Sequence, residues 1–276
     1  MEEYVPFLHD SAHVLQNAGL WADQPDESLS VIMDREMWNG DFLFPRMICL
    51  KDNGIEIDSN GKPVNPYRNN SAIGRGKLGK WGPNHAADLV VTTDFESGIF
   101  VLVVFRSELE QMIPALPGGM IEIQKTTGLL ESSTHTAERE LFEEAIDLET
   151  TDPEAVNKLK KLIRESKMLY CGVVKGEPRN TKNAWIETCV LHVHLPTELA
   201  KKLKLLENGD KEGETKGTIW MKLTDDNIES MYNDGHKSYV RMAMARNDLS
   251  TFVFFTSISI AAIVIWTAFV VKFLSL

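Results

Sequence analysis

The stretch that most constrains this chain runs over residues 117–147, PGGMIEIQKTTGLLESSTHTAERELFEEAID. Two adjacent glycines follow an apolar run; a loop comes next, then a helix-forming segment crowded with carboxylates. Gly118 and Gly119 allow a sharp turn and let the backbone approach another group where a side chain would clash. On a helix, residues three and four apart share a face, so Glu140, Glu143 and Glu144 project toward one volume. Three like charges there repel one another unless a cation joins them. Clustered carboxylate oxygens suit a hard ion, and Mg²⁺ keeps some waters and completes its shell with phosphate oxygens. Arg139 can reach Glu143 one turn on, or Glu131 in the preceding loop, and so orient the cluster. A solvated acidic face is the alternative for RELFEE taken alone. The glycine pair and the apolar strand before it favour the metal site.

At 43% hydrophobic residues over 276 positions, the chain can bury a substantial core in one large domain or two small ones. A net charge of −11 argues against a nucleic-acid surface, which needs a concentrated basic face. Cys49, Cys171 and Cys189 form no paired motif, which predicts neither a disulfide framework nor a zinc site and favours a reducing compartment. The acidic N-terminus shows neither a secretory signal nor a transit peptide. Residues 249–271, by contrast, carry no charge. As a helix they would extend about 34 Å at ~1.5 Å per residue, enough to cross a hydrocarbon core of about 30 Å. Lys237, Arg241 and Arg246 precede this run and only Lys272 follows it, which places the N-terminal side in the cytoplasm. The expectation is a tail-anchored protein in the endoplasmic reticulum or mitochondrial outer membrane, with the lipid bilayer and no nucleic acid among its partners.

In chain order, residues 11–20 read as a short helix and 21–25 as a turn, with Trp21 and Trp38 as packing residues. Residues 48–57 read as a hairpin about Asp52-Asn53-Gly54. The basic run 74–80 is either a phosphate cradle or a solvated loop, and charge alone favours the loop. Strands are expected over 89–93, 98–105, 168–174, 184–194 and 217–223. Helices are expected over 154–167, behind an Asp152-Pro153 cap, over 199–206, and from about Ser238 onward. His192 and His194 share a strand face, but with no third ligand in reach a metal is disfavoured.

RELFEE, with Glu131 before it and Gly119 upstream, resembles the signature of the Nudix hydrolases. The loop between Gly119 and Glu131 is longer than the family pattern, and Ile146 stands where a glycine usually closes the box. Insertions in loops cost little closure entropy. Gly74-Arg75-Gly76 with the segment 81–88 (WGPNHAAD), and the segment 177–188 (EPRNTKNAWIET), are similar to stretches of the ADP-ribose pyrophosphatase branch, as is Trp21-Ala22-Asp23. The same domain occurs in the ADP-ribose-gated melastatin-type channel. The resemblance spans roughly residues 14–236.

That resemblance implies an α/β/α sandwich with a mixed sheet, a small N-terminal β-rich lobe and Mg²⁺ or Mn²⁺ as cofactor. Together with the apolar run it divides the chain into a lobe (1–80), a hydrolase domain (81–248) and a transmembrane helix (249–271). Glu140, Glu143 and Glu144 would bind metal with Arg139 in support, one of the last two glutamates helping to activate water. Glu177 and Arg179 would sit beside the diphosphate and ribose, the family usually having aspartate at the first. Tyr232 and His236 match a Tyr-x-x-His segment with one residue added. Asn84, His85 and Asp88 either line the cleft or fasten the N-terminal part to the sheet. The expected reaction is hydrolysis of ADP-ribose to AMP and ribose 5-phosphate. A membrane-tethered ADP-ribose sensor and a pyrophosphatase for another nucleotide remain as alternatives.

Overall fold

The structure is a computed structural model, and it describes residues 8–32, 56–66, 72–108, 111–122, 130–174, 176–210, 213 and 215–246. Trp38, Cys49, the 52–54 hairpin, most of the loop between Gly119 and Glu131, and the apolar run 249–271 lie outside these residues.

The described residues form nine strands: β1 (Leu8–Asp10), β2 (Ile73–Gly76), β3 (Gly82–Phe95), β4 (Gly98–Glu108), β5 (Gln111–Ala115), β6 (Gly118–Met120), β7 (Lys167–Val173), β8 (Ala184–Leu195) and β9 (Thr215–Lys222). Helices are α1 (Ala12–Gln16), α2 (Ser133–Glu144), α3 (Pro153–Arg164), α4 (Thr197–Ala200), α5 (Asp225–Glu229) and α6 over residues 234–246. Seven strands make one sheet in the order β5-β4-β3-β8-β7, with β6 on β3 and β9 on β4. The sheet is mixed, because β3 and β8 run parallel from Gly82↔Ala184 to Thr93↔Leu195 while the other pairings are antiparallel.

Helices cover both faces. On one, Ala137 and Leu141 of α2, Leu159 and Ile163 of α3 and Leu199 of α4 pack on Leu89, Val91, Leu191 and Val193. On the other, Tyr239, Val240 and Ala243 of α6 pack on Val90, Val101 and Val190. Burying each large aliphatic side chain contributes about 1.5–3 kcal/mol, so these two layers hold the sandwich together. Helix α3 begins where the sequence places it: Asp152 accepts from the Glu154 N–H at 3.2 Å, and Pro153 occupies the first turn, where no donor is needed. Ile146 does not disturb the end of α2. Its N–H reaches the Leu141 carbonyl at 3.1 Å, and its side chain is wholly buried beside Leu141.

Several expectations need correction. The glycine pair is a strand, β6, rather than a turn; it pairs with Ala86–Asp88 of β3. The basic run is no solvated loop where it enters β2. Arg75 is fully buried, paired to Asp10 at 2.6 Å, bonded to the Asp23 carbonyl and stacked near Trp81. Among the described residues the β-rich lobe shows only the β1–β2 pair and isolated bridges at Ala18↔Ala22 and Ile57↔Pro63. Helix α4 stops at Ala200, and Leu205 instead bridges Ile146. Cys171 and Cys189 are joined as a disulfide with Cα atoms 4.2 Å apart. Spacing conceals that pair, because antiparallel β7 and β8 set two cysteines 18 residues apart directly opposite each other. His192 and His194 both hydrogen-bond the Thr92 hydroxyl, at 2.9 Å each. Among the described residues no helix is long and apolar enough to cross a membrane.

Candidate active site

Helix α2 starts at Ser132, whose hydroxyl accepts from the His135 N–H at 3.1 Å. Its apolar residues Ala137 and Leu141 face the sheet, and helical spacing carries Glu140 and Glu144 to the same buried side while Glu143 faces solvent. Arg139 ties the region together. Its Nη1 donates to Glu140 Oε1 at 2.8 Å and to Glu143 Oε2 at 2.9 Å, its Nε to Glu131 Oε1 at 3.0 Å, and its Nη2 to the Met120 carbonyl at 3.0 Å. Both partners foreseen for Arg139, Glu131 and Glu143, are engaged at once.

Glu144 departs from the expected cluster. It accepts from Arg106 Nη2 at 2.7 Å and from the Gly118 N–H at 3.0 Å, and it is buried. The three glutamates thus divide, two around Arg139 and one on Arg106. Arg106 also donates to the Gly118 carbonyl at 2.9 Å, so it locks β6 against α2. Sequence reasoning missed it. Its only signal was a cation directly ending the apolar run of β4.

Electrostatics follow the packing. Burial pushes the Glu140 carboxyl up to about 7, with Arg139 only partly opposing it. Burial also acts to raise Glu131, but hydrogen bonds from Arg139 and Thr136 win and lower it. Burial alone would lower Arg139, yet the surrounding carboxylates raise it. Close neighbours leave no room for a Cβ at Gly118 or, with Glu140 where it stands, at Gly119. A Cβ on Gly119 would lie 2.2 Å from Glu140 Oε1, and one on Gly118 would lie 2.6 Å from the Ala87 carbonyl oxygen. Glu140 therefore rests against bare backbone. A buried carboxyl held near neutrality, beside uncovered backbone and a second carboxylate, is a donor set that fits a hard divalent cation at Glu140 and Glu143. Glu144 is committed to Arg106 and Gly118, and among the described residues no three acidic or histidine side chains already form a metal-binding group.

The other face of β3 carries the second group. Asp88 accepts from the Thr188 hydroxyl at 2.6 Å, and its other oxygen is 4.0 Å from His236 Nε2. His236 is buried in the first turn of α6, and its Nδ1 accepts from the Leu116 N–H at 2.9 Å. The neutral ring therefore carries its proton on Nε2, facing Asp88. Burial lowers its pKa, with Asp88 opposing. Between Tyr232 and His236, Asn233 caps α6, its Oδ1 accepting from the His236 N–H at 2.9 Å. Tyr232 stands edge-on to His236 with ring centroids 5.7 Å apart.

Arg179 donates to buried Glu177 at 2.6 Å while its own side chain stays 41% exposed. Burial would lower Arg179, but Glu177 raises it, and Tyr232 and Asp88 act on it in the same sense. Asp88, Glu177, Arg179, Tyr232 and His236 therefore belong to one electrostatic neighbourhood. Asn84 does not join them. Its buried amide bonds the Lys80 N–H and carbonyl and the Gly82 carbonyl, so it fastens the loop before β3. The His85 carbonyl likewise holds the Ile121 N–H at 2.9 Å.

No protein-family model matches the chain. Over 215 residues it is 31% identical to a protein named ADP-ribose pyrophosphatase, mitochondrial, of Rattus norvegicus, covering 71% of this chain and 57% of that one. It is 37% identical over 153 residues to a putative nudix hydrolase 6 of Caenorhabditis elegans, covering 54% and 53%. It is also 29% identical over 205 residues to a transient receptor potential cation channel subfamily M member-like 2 of Nematostella vectensis, covering 70% of this chain and 13% of the channel. The chain thus spans little more than half the length of the first two relatives. Among solved structures, a Nudix domain of Shewanella oneidensis NrtR complexed with ADP ribose aligns at 18% identity, covering 59% of this chain and 88% of that one, with a TM-score of 0.41. The chain is thus similar to proteins named as Nudix hydrolases, an ADP-ribose pyrophosphatase among them, and to channels of the transient receptor potential subfamily M.

Proposed function

We propose that the chain hydrolyses the diphosphate of ADP-ribose, water and ADP-ribose giving AMP and ribose 5-phosphate. The observation that carries this reading is the contact of Glu140 with the bare backbone of Gly119, with Glu143 sharing the same arginine. The relative named ADP-ribose pyrophosphatase supports the substrate. Glu140 and Glu143 would hold Mg²⁺ or Mn²⁺, and the bound ion would neutralise phosphate charge and acidify a water. Arg139 orients both carboxylates through its fork. Glu143, the glutamate open to solvent, accepts the proton of the attacking water. Arg179, fixed by Glu177, supplies an exposed guanidinium for a diphosphate oxygen, and Asp88, Tyr232 and His236 border the nucleotide. Holding substrate and water in register supplies much of the rate.

In this reading, residues 81–248 are the catalytic unit, 1–80 a lobe fastened to it, and 249–271 a span that holds the enzyme on a membrane. A second reading, a sensor that binds without turnover, is favoured by the commitment of Glu144 to Arg106. Incubating the full chain in detergent with ADP-ribose and Mg²⁺, then resolving products by chromatography, separates the two. AMP with ribose 5-phosphate supports the hydrolase. Intact ADP-ribose with calorimetric binding supports the sensor, and cleavage only of another dinucleotide would replace the substrate. Extraction of cell membranes at alkaline pH tests the span, which predicts that the protein stays in the pellet.

A further inference from the structure

From Lys158 to Lys167 the chain carries Lys158, Lys160, Lys161, Arg164 and Lys167 against the single acid Glu165, in a protein of net charge −11. The apolar residues of α3, Ala155, Leu159 and Ile163, are buried, which turns the basic residues outward. The side chains of Lys161 and Arg164 are 74% and 66% exposed. Arg246, in the last turn of α6, donates to the Met168 carbonyl at 3.2 Å. The end of α6, from which the chain leads on to the charge-free run, therefore lies beside Lys167. Glu138 shares Lys160 and Arg164, Glu165 lies 3.9 Å from Lys161, and Asp94 on His194 stands at the same end of the sheet.

The Asp88, Glu177 and His236 part of the candidate site is at the opposite end, whereas α2 lies alongside α3, with Glu138 turned toward Arg164 and Arg139 toward Glu140 and Glu143. Strand β7 runs from Lys167 to Val173 and leads to Glu177, while α6 runs from His236 near Asp88 to Arg246. At ~3.3 Å per strand residue and ~1.5 Å per helix residue, the strand path covers about 20 Å and the helix path about 15 Å.

We propose that the Lys161, Arg164, Lys167 and Arg246 end of the domain docks on an anionic lipid surface and holds the Asp88, Glu177 and His236 part of the site facing away from the bilayer. Basic side chains close to a membrane segment are attracted by phosphatidylserine-type headgroups, and the attraction fades within about a Debye length, ~10 Å at 0.1 M salt. Among the described residues, the end where α6 finishes is the one that a span over 249–271 would hold that close. The inference rests on the reading of 249–271 as a membrane span.

The test uses the full chain reconstituted in phosphatidylcholine vesicles, with and without added phosphatidylserine, read by flotation and hydrogen–deuterium exchange. Expected is flotation on both, with exchange over 158–168 slowed several-fold only on the anionic vesicles and this protection lost at high salt. A Lys161→Glu, Arg164→Glu, Lys167→Glu variant should float equally, keep the slow exchange of β3 and β8 that reports an intact fold, and lose the protection. Flotation on both vesicles with identical exchange over 158–168 overturns the docking surface and leaves the span standing. Failure to float on either overturns the span, and the docking surface with it.

Discussion

Two clusters of titratable side chains lie along β3, and they differ in how their charge is settled. Toward one end, Glu131, Glu140, Glu143 and Glu144 crowd around only two guanidiniums, Arg139 and Arg106, with a carboxyl pushed up to about 7 against bare glycine backbone. Toward the other, His192 and His194 close on the Thr92 hydroxyl, and His194 also meets Asp94 at 3.1 Å. Burial lowers His192 to about 4, so its ring stays neutral at physiological pH. The first cluster keeps a surplus of negative charge that a divalent cation would relieve. The second is complete within itself. Clustered ionisable residues thus point to chemistry when their charges are left unbalanced, and to packing when hydrogen bonds close the set.

The largest effect should come from Glu140→Gln, which removes a carboxylate without changing shape. ADP-ribose hydrolysis is expected to fall at least about 10²-fold in kcat/KM, whereas His194→Gln at the other end should leave it unchanged. Gly119→Ala tests the bare backbone directly. A methyl placed 2.2 Å from Glu140 Oε1 must displace that carboxyl, and a shift of about 1 Å is expected to cost about 10²-fold in turnover.

Stability should respond next. Arg106→Met leaves Glu144 buried without its guanidinium, at an expected cost of about 3 kcal/mol in denaturant unfolding. The pH dependence contrasts the two clusters in sign. Glu140 binds its proton more tightly folded than unfolded, so without metal it contributes stability below pH 4.5 that is lost as pH rises to about 7. His192 binds its proton less tightly folded, so its contribution is present above pH 6.5 and lost as pH falls to about 4. Each spans about 3 kcal/mol at ~1.4 kcal/mol per pH unit, and in the native protein the two offset each other between pH 4.5 and 6.5. Unfolding measured across that window should rise more steeply with pH in Glu140→Gln and turn downward in His192→Gln. Smallest is Thr92→Val, which removes the hydroxyl both histidines share. It should cost about 1–2 kcal/mol in unfolding and leave hydrolysis intact.

Much of this organisation is local and so legible in the sequence. The Asp152-Pro153 start of α3, the apolar strands β4, β7 and β8, and the carboxylate helix α2 all follow from caps, periodicity and length. What was hidden depends on which strand lies beside which. Gly118 and Gly119 read as a turn because nothing near them in sequence names β3 as their partner. Arg75 read as solvated because its counter-charge, Asp10, lies 65 residues earlier. Arg106 and Glu144 are 38 residues apart and meet only across β6. Cys171 and Cys189 meet only through the β7–β8 register. For the candidate site, the residues on α2 and in the 177–179 segment could be named from the sequence, but not the division of the three glutamates between two arginines.

The most direct measurement pairs hydrolysis with metal binding in the same samples. The full chain and its Glu140→Gln variant would be titrated with Mn²⁺, followed by electron paramagnetic resonance, and assayed for AMP release from ADP-ribose. The native chain is expected to bind Mn²⁺ and release AMP, and the variant to lose both while unfolding as cooperatively as the native protein. Unchanged Mn²⁺ binding and unchanged AMP release in the variant would contradict that expectation, and would move the reaction away from the α2 carboxylates.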